Sequence, residues 1–274
     1  MSGLLFVGGG NMATALIGGV VARGRRSSDI VVVEPLAAQR AALAARFPGI
    51  GCVDDAARAA LDGVELVVLA VKPQHARMAA AALGEPIHAV PALLSIVAGV
   101  RVADLARWLG GYTRIVRAVP NTPALVGAGI SGVYADPDVP VAGLATAHEV
   151  LAAAGAIVTC PRETALDAVT GVSGSGPAYV FYFLEGLTEA AMELGFGEAD
   201  ARQLAYATFA GSMRLAEASA AEPAALRAQV TSKGGTTERA IGLLEDGAVK
   251  QRFIDAVKAA AARARELGDA AGRE

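Results

Sequence analysis

The sequence predicts an α/β fold, a doubly wound, mostly parallel sheet followed by an all-helical C-terminal domain. Three observations carry that reading. Apolar runs at residues 4–7, 30–33, 64–71, 93–97 and 114–119 are short and rich in β-branched residues, and helical patterns separate them. The first run leads directly into a glycine turn, Gly8-Gly9-Gly10, that opens a helix. Beyond Cys160 no strand run follows, and apolar residues recur every three and four positions instead.

Taken in order, residues 4–7 form a strand and 11–23 a helix ending at Gly24. Residues 30–33 give a second strand and 37–47 a second helix. The buried strand over 64–71 is stopped by Pro73, and two more strands cover 93–97 and 114–119. After Cys160-Pro161, small residues crowd positions 171–176, and Pro177 suits the first turn of the next helix. Ala201, Leu204, Ala205, Thr208, Phe209, Ser212, Leu215 and Ala216 then keep helical spacing, as do Phe253, Ile254, Val257, Ala260, Ala261, Ala264 and Leu267. The expected domains are therefore 1–160 and 161–274. The apolar helical part suits either an ordinary core within the chain or a homodimer that buries it against a second copy.

A chain of 274 residues is long enough for two cores. Net charge is −3 with no basic block, which excludes the electrostatic footprint of a nucleic-acid binder. Cys52 and Cys160 have neither CxxC nor metal spacing and read as small buried residues of a reducing compartment. His75, His88 and His148 are scattered, so no metal site is expected. No charged leader precedes residues 4–7, and the apolar run 89–100 is short and broken by Pro91. A soluble, cytoplasmic protein without a membrane span is the expectation.

The pattern Gly8-x-Gly10-x-x-Ala13 lies between a strand and a helix, the setting in which a Rossmann-like turn holds a dinucleotide. Gly8 permits the tight turn, Gly10 lets backbone approach the pyrophosphate, and Ala13 keeps helix and strand close. Amides at the helix start would face the phosphate charge. Glu34 closes the second strand, where a carboxylate bonds ribose hydroxyls and repels a 2′-phosphate, favouring NADH over NADPH. Arg40 and the group Arg23, Arg25 and Arg26 suit either a phosphate contact or a solvated helix end. Lys72, after Ala70-Val71, suits a phosphate or ribose contact or an ordinary surface position. Pro120-Asn121-Thr122-Pro123 suits a rigid wall near the nicotinamide or a simple turn.

Five motifs, in order along nearly the whole chain, resemble pyrroline-5-carboxylate reductase. They are Phe6-Val7-Gly8-Gly9-Gly10-Asn11-Met12, Ala70-Val71-Lys72-Pro73, Pro120-Asn121-Thr122-Pro123, Val172-Ser173-Gly174-Ser175-Gly176-Pro177-Ala178-Tyr179 and Thr231-Ser232-Lys233-Gly234-Gly235-Thr236-Thr237. The last two are far more specific than the glycine turn. The resemblance implies reduction of 1-pyrroline-5-carboxylate to L-proline with NADPH or NADH, and helical domains that interlock as homodimers, often assembled into decamers. It assigns substrate contacts to Glu163, Ser232, Gly235, Thr236 and Thr237. Cofactor contacts fall on Gly8, Gly9, Gly10, Asn11, Met12, Ala70, Val71, Lys72, Pro73, Ala98 and Asn121. Two residues depart from the pattern: Val119 replaces a frequent methionine, and Glu34 replaces a small polar residue where the family usually prefers NADPH.

Hydride transfer to a cyclic imine needs an oriented nicotinamide, a fixed imine carbon and a proton for the ring nitrogen. Amides around Gly235 and Thr236, at a helix start, would hold the carboxylate without an arginine. Thr237 is the expected catalytic residue, as a hydrogen-bonding positioner first and a proton relay second. Plain helix capping is the competing account of Thr236 and Thr237. Ser175 has no His or acid pattern around it and reads as packing rather than as a nucleophile. A 3-hydroxyacid dehydrogenase would want a basic lysine where this chain has Val180. A non-catalytic dinucleotide sensor would need the Gly8 turn but not the loop at 231–237.

Overall fold

The computed structural model describes residues 3–271. Eight strands form one sheet in the order β3-β2-β1-β4-β5-β6-β7-β8. They are β1 Gly3–Val7, β2 Ile30–Val33, β3 Gly51–Val53, β4 Val64–Leu69, β5 Ala92–Ser95, β6 Ile115–Val119, β7 Gly129–Ala135 and β8 Gly155–Thr159. All neighbours pair in parallel except β6 and β7. The exception follows from the connection. Only a short 3-10 turn, Thr122–Val126, joins β6 to β7, and a parallel return needs a crossover a dozen residues long. A helix over Val141–Ala152 (α5) supplies that crossover between β7 and β8.

In the sheet unit the helices are α1 Asn11–Ala22, α2 Ala37–Arg46, α3 Pro73–Leu83, α4 Val102–Trp108, α5 Val141–Ala152 and α6 Ala165–Val169. Helix α1 stops where Gly24 takes φ +102, with Arg25 N–H donating to the Val20 carbonyl and Gly24 N–H to that of Val21. That 6→1 and 5→2 pair closes the helix end. Pro73, with φ preset, starts α3 after an extended Lys72.

Alternation along the strands divides the interior into two cores. Leu4, Phe6, Ile30, Val32, Leu66, Val68 and Leu94 point to one face, with Leu16 and Ile17 of α1, Leu43 of α2 and Val150 of α5. Leu5, Val7, Val33, Val67, Leu69, Leu93 and Ile115 point to the other, with Ala76 and Leu83 of α3 and Leu105 of α4. Each fully buried Leu, Ile or Phe stabilises the fold by roughly 1.5–3 kcal/mol. A strand that must feed both cores is apolar along its buried length, which is why β1, β2 and residues 66–69 of β4 are legible as continuous runs.

The structure adds three strands that the reading of apolar runs does not contain. β3 has three half-buried residues, and β7 and β8 each open on a glycine. It also shortens the third predicted strand, which ends at Leu69 rather than residue 71.

The chain divides into compact units at Ser175 and Gly176, not at Cys160. Helix α6 and the π-helical turn Thr170–Gly174 belong with the sheet. Val169 reaches Gly132 of β7 so closely that a Cβ there would lie 2.6 Å from its Cγ1. Residues Ala259–Ala271, the end of the long helix α11 (Val249–Ala271), also belong to the sheet unit. There Leu267 and Gly268 pack on Gly99.

The helical unit, Gly176–Lys258, contains α7 Gly176–Glu193, α8 Glu198–Ala218, α9 Pro223–Gln229, α10 Thr236–Asp246 and the start of α11. Tyr179 and Phe183 meet Phe253 edge-on at 5.6 and 5.7 Å. Among the described residues of this unit only Ala201 and Ala205 are buried, and Phe181, Tyr182 and Leu194 are 61%, 72% and 81% exposed. Among the described residues no helix is long and apolar enough to cross a membrane.

Candidate active site

Because β1, β2, β4, β5 and β6 run in parallel, their carboxyl ends share one edge of the sheet. The loops that leave them carry Gly8–Gly10, Glu34, Ala70–Pro73, Ala98 and Asn121 in turn. Strand order reverses between β1 and β4, and open α/β sheets bind ligands at such a switch point.

The β1–α1 turn is closed by packing on one side and open on the other. Gly8 has φ +100, and a Cβ there would lie 2.7 Å from the Ala70 carbonyl oxygen at the end of β4. Neither that conformation nor that contact admits a side chain. Gly9 would meet Leu43 Cδ1 at 2.7 Å. Gly10, the N-cap of α1, has no atom within 4 Å of its missing Cβ, and no side chain caps the helix. The amides that begin α1 are therefore left for an anion, which fits a dinucleotide diphosphate. Ala13 is 1% exposed against the core, as the spacing predicts.

Glu34 is 9% exposed at the end of β2. Its Oε2 accepts the Gly9 N–H and its Oε1 the Leu36 N–H, both at 3.0 Å. The Gly9 carbonyl accepts Gln39 Nε2 at 2.6 Å and Thr14 Oγ1 at 3.3 Å. Arg40 donates to the carbonyls of Glu34 and Pro35, so its guanidinium ties down the β2–α2 loop. Ala70 and Val71 are half-buried beside Gly8, and Lys72, Pro73 and Ala98 are exposed at the same edge.

Two predicted contacts have other occupations. Asn121, 8% exposed, accepts the Ile130 N–H through Oδ1 and donates through Nδ2 to the Ser173 carbonyl. Its side chain braces β7 to the π-helical turn. Glu163 Oε1 accepts Arg117 Nη1 at 2.6 Å and the Val102 N–H at 2.7 Å. Arg117 is a cation on the buried strand β6, 3% exposed, and a buried cation requires a partner. Glu163 is that partner, and it also caps the start of α4. Nearby, Arg101 makes a bidentate pair with Asp167 at 2.9 and 3.1 Å and reaches Asp269 at 3.6 Å. Sequence reading missed this network. Its signal was an arginine inside the apolar run Ile115-Val116-Arg117-Ala118-Val119.

In the helical unit, Gly235 is the N-cap of α10 and no side chain caps it. Thr236 and Thr237 are the first two helical residues, so neither is the cap and the capping account of them does not hold. Glu238 Oε2 instead accepts the Gly234 N–H at 2.7 Å, one residue outside the helix. Gly235 N–H donates back to the Ser232 carbonyl, and Thr231 Oγ1 to that of Arg227. Ser232 and Thr236 are exposed and Thr237 half-buried. A tight turn thus presents two hydroxyls and the amides of a helix start, groups suited to a carboxylate.

Other candidates fall away. Val180 is half exposed on α7 and cannot act as a base. Burial pushes the thiols of Cys52 and Cys160 up, opposite to an activated thiolate. Among the described residues no three His, Cys, Asp or Glu side chains cluster as metal ligands.

Residues 4–99 match the family described as NADP oxidoreductase, coenzyme F420-dependent, and the fold with its glycine turn defines an oxidoreductase that uses a nicotinamide dinucleotide. Residues 163–267 match the family described as pyrroline-5-carboxylate reductase dimerisation. A pyrroline-5-carboxylate reductase of Pseudomonas aeruginosa is 40% identical over 270 residues, 98% of each chain. One of Synechocystis is 37% identical over 263 residues, 96% of this chain and 97% of the other. Among solved structures, the reductase of Coxiella burnetii is 36% identical with a TM-score of 0.90, covering 97% of this chain and 98% of the other. That of Plasmodium falciparum, with NADP bound, is 25% identical with a TM-score of 0.86 over the same shares. The chain belongs to the pyrroline-5-carboxylate reductase family, and it carries that family's dimerisation region.

Proposed function

We propose that the chain reduces 1-pyrroline-5-carboxylate to L-proline, holding a reduced nicotinamide dinucleotide at residues 8–12 and the substrate carboxylate at residues 232–237. The observation that carries the substrate half is the uncapped start of α10 behind Gly235. Its amides and the Ser232 hydroxyl bind the carboxylate, and fixing that group orients the ring for a near-intramolecular reaction. Reduced nicotinamide, when bound, supplies the hydride. Thr237 Oγ1 holds the imine nitrogen by a hydrogen bond and passes it a proton from water. A threonine hydroxyl is a weak acid, so positioning is its larger contribution.

On the cofactor side, Gly10 and the amides of Asn11 and Met12 take the diphosphate. The loops at Ala70, Val71, Lys72, Pro73 and Ala98 line the same edge, and Asn121 shapes it through the β6–β7 turn. Each Glu34 oxygen keeps a second lone pair for ribose hydroxyls, while its charge disfavours a 2′-phosphate. We read the chain as preferring NADH on that ground. The open apolar faces of the helical unit close in a homodimer, with decamers as the higher assembly for sedimentation to test.

The deciding experiment follows nicotinamide absorbance with the imine and either NADH or NADPH. Turnover at catalytic protein concentration supports the reading, with kcat/KM higher for NADH. Tight dinucleotide binding with a flat trace would describe a sensor instead. Thr237→Ala should lower kcat on the order of 10- to 100-fold while melting as wild type does, and wild-type kinetics in that variant would remove its role.

A further inference from the structure

Three consecutive glycines leave a peptide chain with almost no steric preference, so something else must fix the β1–α1 turn. Local packing fixes Gly8 through its contact with Ala70, and the helix fixes Gly10 as its N-cap. The two peptide groups that flank the Gly9 Cα are held from outside the turn. The Gly9 N–H donates to Glu34 Oε2, and the Gly9 carbonyl accepts Gln39 Nε2 and Thr14 Oγ1. The other Glu34 oxygen is anchored by the Leu36 N–H. A carboxylate devoted to ribose alone would project into the open edge, whereas this one is 9% exposed.

We propose that Glu34 is a positioning residue for the glycine turn as well as a selector, an inference that rests on residues 8–12 holding a dinucleotide. By holding the Gly9 N–H, it turns that amide away from the ligand and sets the following amides toward the diphosphate. The diphosphate is common to NADH and NADPH, so the tie supports the binding of both. Removing the carboxylate therefore weakens both dinucleotides, with NADH losing more, and does not convert the protein to NADPH.

The test compares KM and kcat for NADH and NADPH, with melting temperatures, in wild type, Glu34→Gln and Gln39→Leu. Glu34→Gln keeps the shape but replaces one acceptor oxygen by an NH2 group that faces an N–H. Both KM values should rise, roughly 5- to 30-fold, and the NADH value should rise more. Gln39→Leu keeps the carboxylate and removes only the bond to the Gly9 carbonyl. It should raise both KM values by the same factor, roughly 3- to 10-fold, and leave their ratio unchanged. In both variants kcat at saturating dinucleotide and KM for the imine should move less than about twofold, because the turn's shape acts on binding. An unchanged or lowered NADPH KM in Glu34→Gln, with Gln39→Leu like wild type, makes Glu34 a selector only and overturns the proposal. A loss of kcat with a depressed melting temperature and unmoved KM values overturns it too. Wild-type protein that binds neither dinucleotide would sink the dinucleotide reading itself, a result distinct from indifferent variants of a protein that binds both.

Discussion

The sheet unit and the helical unit are both rich in apolar residues, yet they bury them in different ways. In the sheet unit, side chains alternate between two cores and Phe6, Leu16, Ile30 and Leu93 are at 0–1% exposure. In the helical unit Ala201 and Ala205 alone are buried among the described residues, and whole aromatic rings on α7 stand open. An exposed apolar surface of that kind is the mark of an interface. The difference teaches that apolar content reports how much surface must be covered, not which chain covers it. The sheet unit buries its apolar residues within the chain, whereas the unit that leaves them open lies in the part that matches the family's dimerisation region.

The largest expected effect breaks this contrast at the helical unit. Phe181→Asp puts a charge on the open face of α7 and should cost the assembly on the order of 4 kcal/mol. Light scattering should show monomer, and helical circular dichroism should melt earlier than in wild type and without the wild type's dependence on protein concentration, while the sheet unit keeps its own transition. An unchanged mass would show that this face is not the one covered.

Next comes the sheet unit's buried ion pair. Arg117→Ala leaves Glu163 without its cation and should lower stability by about 3 kcal/mol, independent of protein concentration. Glu163→Gln should cost less, about 1–2 kcal/mol, with little change in KM for the imine. A raised substrate KM at unaltered melting temperature would restore Glu163 to the substrate site.

The glycine turn sharpens the comparison inside the sheet unit. Gly8→Ala meets both φ +100 and the Ala70 carbonyl, and should cost about 2 kcal/mol together with dinucleotide binding. Gly10→Ala enters open space at ordinary φ, so stability should change by less than about 0.5 kcal/mol while dinucleotide affinity falls. Calorimetric titration beside thermal melting separates the packing glycine from the binding glycine.

The smallest effect is an alkaline one. Burial pushes the Tyr112 phenol up to about 12, opposed by the Arg114 guanidinium, which bonds it and lies 4.8 Å from the ring centroid. The folded state therefore holds this proton more tightly than the unfolded state. The associated stability is complete below the ordinary value of 10 and is lost as pH rises to about 12. It amounts to about 3 kcal/mol at most. Tyr112→Phe should cost about 1 kcal/mol at neutral pH, since the Val90 carbonyl keeps Arg114 Nη2, and should remove that part of the alkaline decline. Melting curves from pH 8 to pH 12 check both halves (the range spans the shift at about 10 to 12).

What could be read from residues alone was whatever is local. β1, β2 and β4 are runs in which most positions are buried, so composition suffices to find them. β3, β7 and β8 are short, edge-like or broken by glycine, and they exist because neighbours supply their hydrogen bonds. Gly8 and Ala13 were assigned correct structural places because a strand–turn–helix constrains each in a known way. Asn121 and Glu163 were read toward a ligand because a polar residue in a motif carries no sign of what it faces. Their partners, Ile130 and Ser173 for one and Arg117 and Val102 for the other, lie 9 to 61 positions away.

The sequence by itself determined the α/β class, the glycine turn between β1 and α1, the family and the helical start at Gly235, because backbone conformation and burial period are written in consecutive residues. Only the tertiary structure decided that the units part at Ser175, that Glu34 clamps Gly9, and that Glu163 answers a buried arginine. Each of those is a pairing between distant segments, and burial makes such pairing obligatory without marking in either segment which partner it will find.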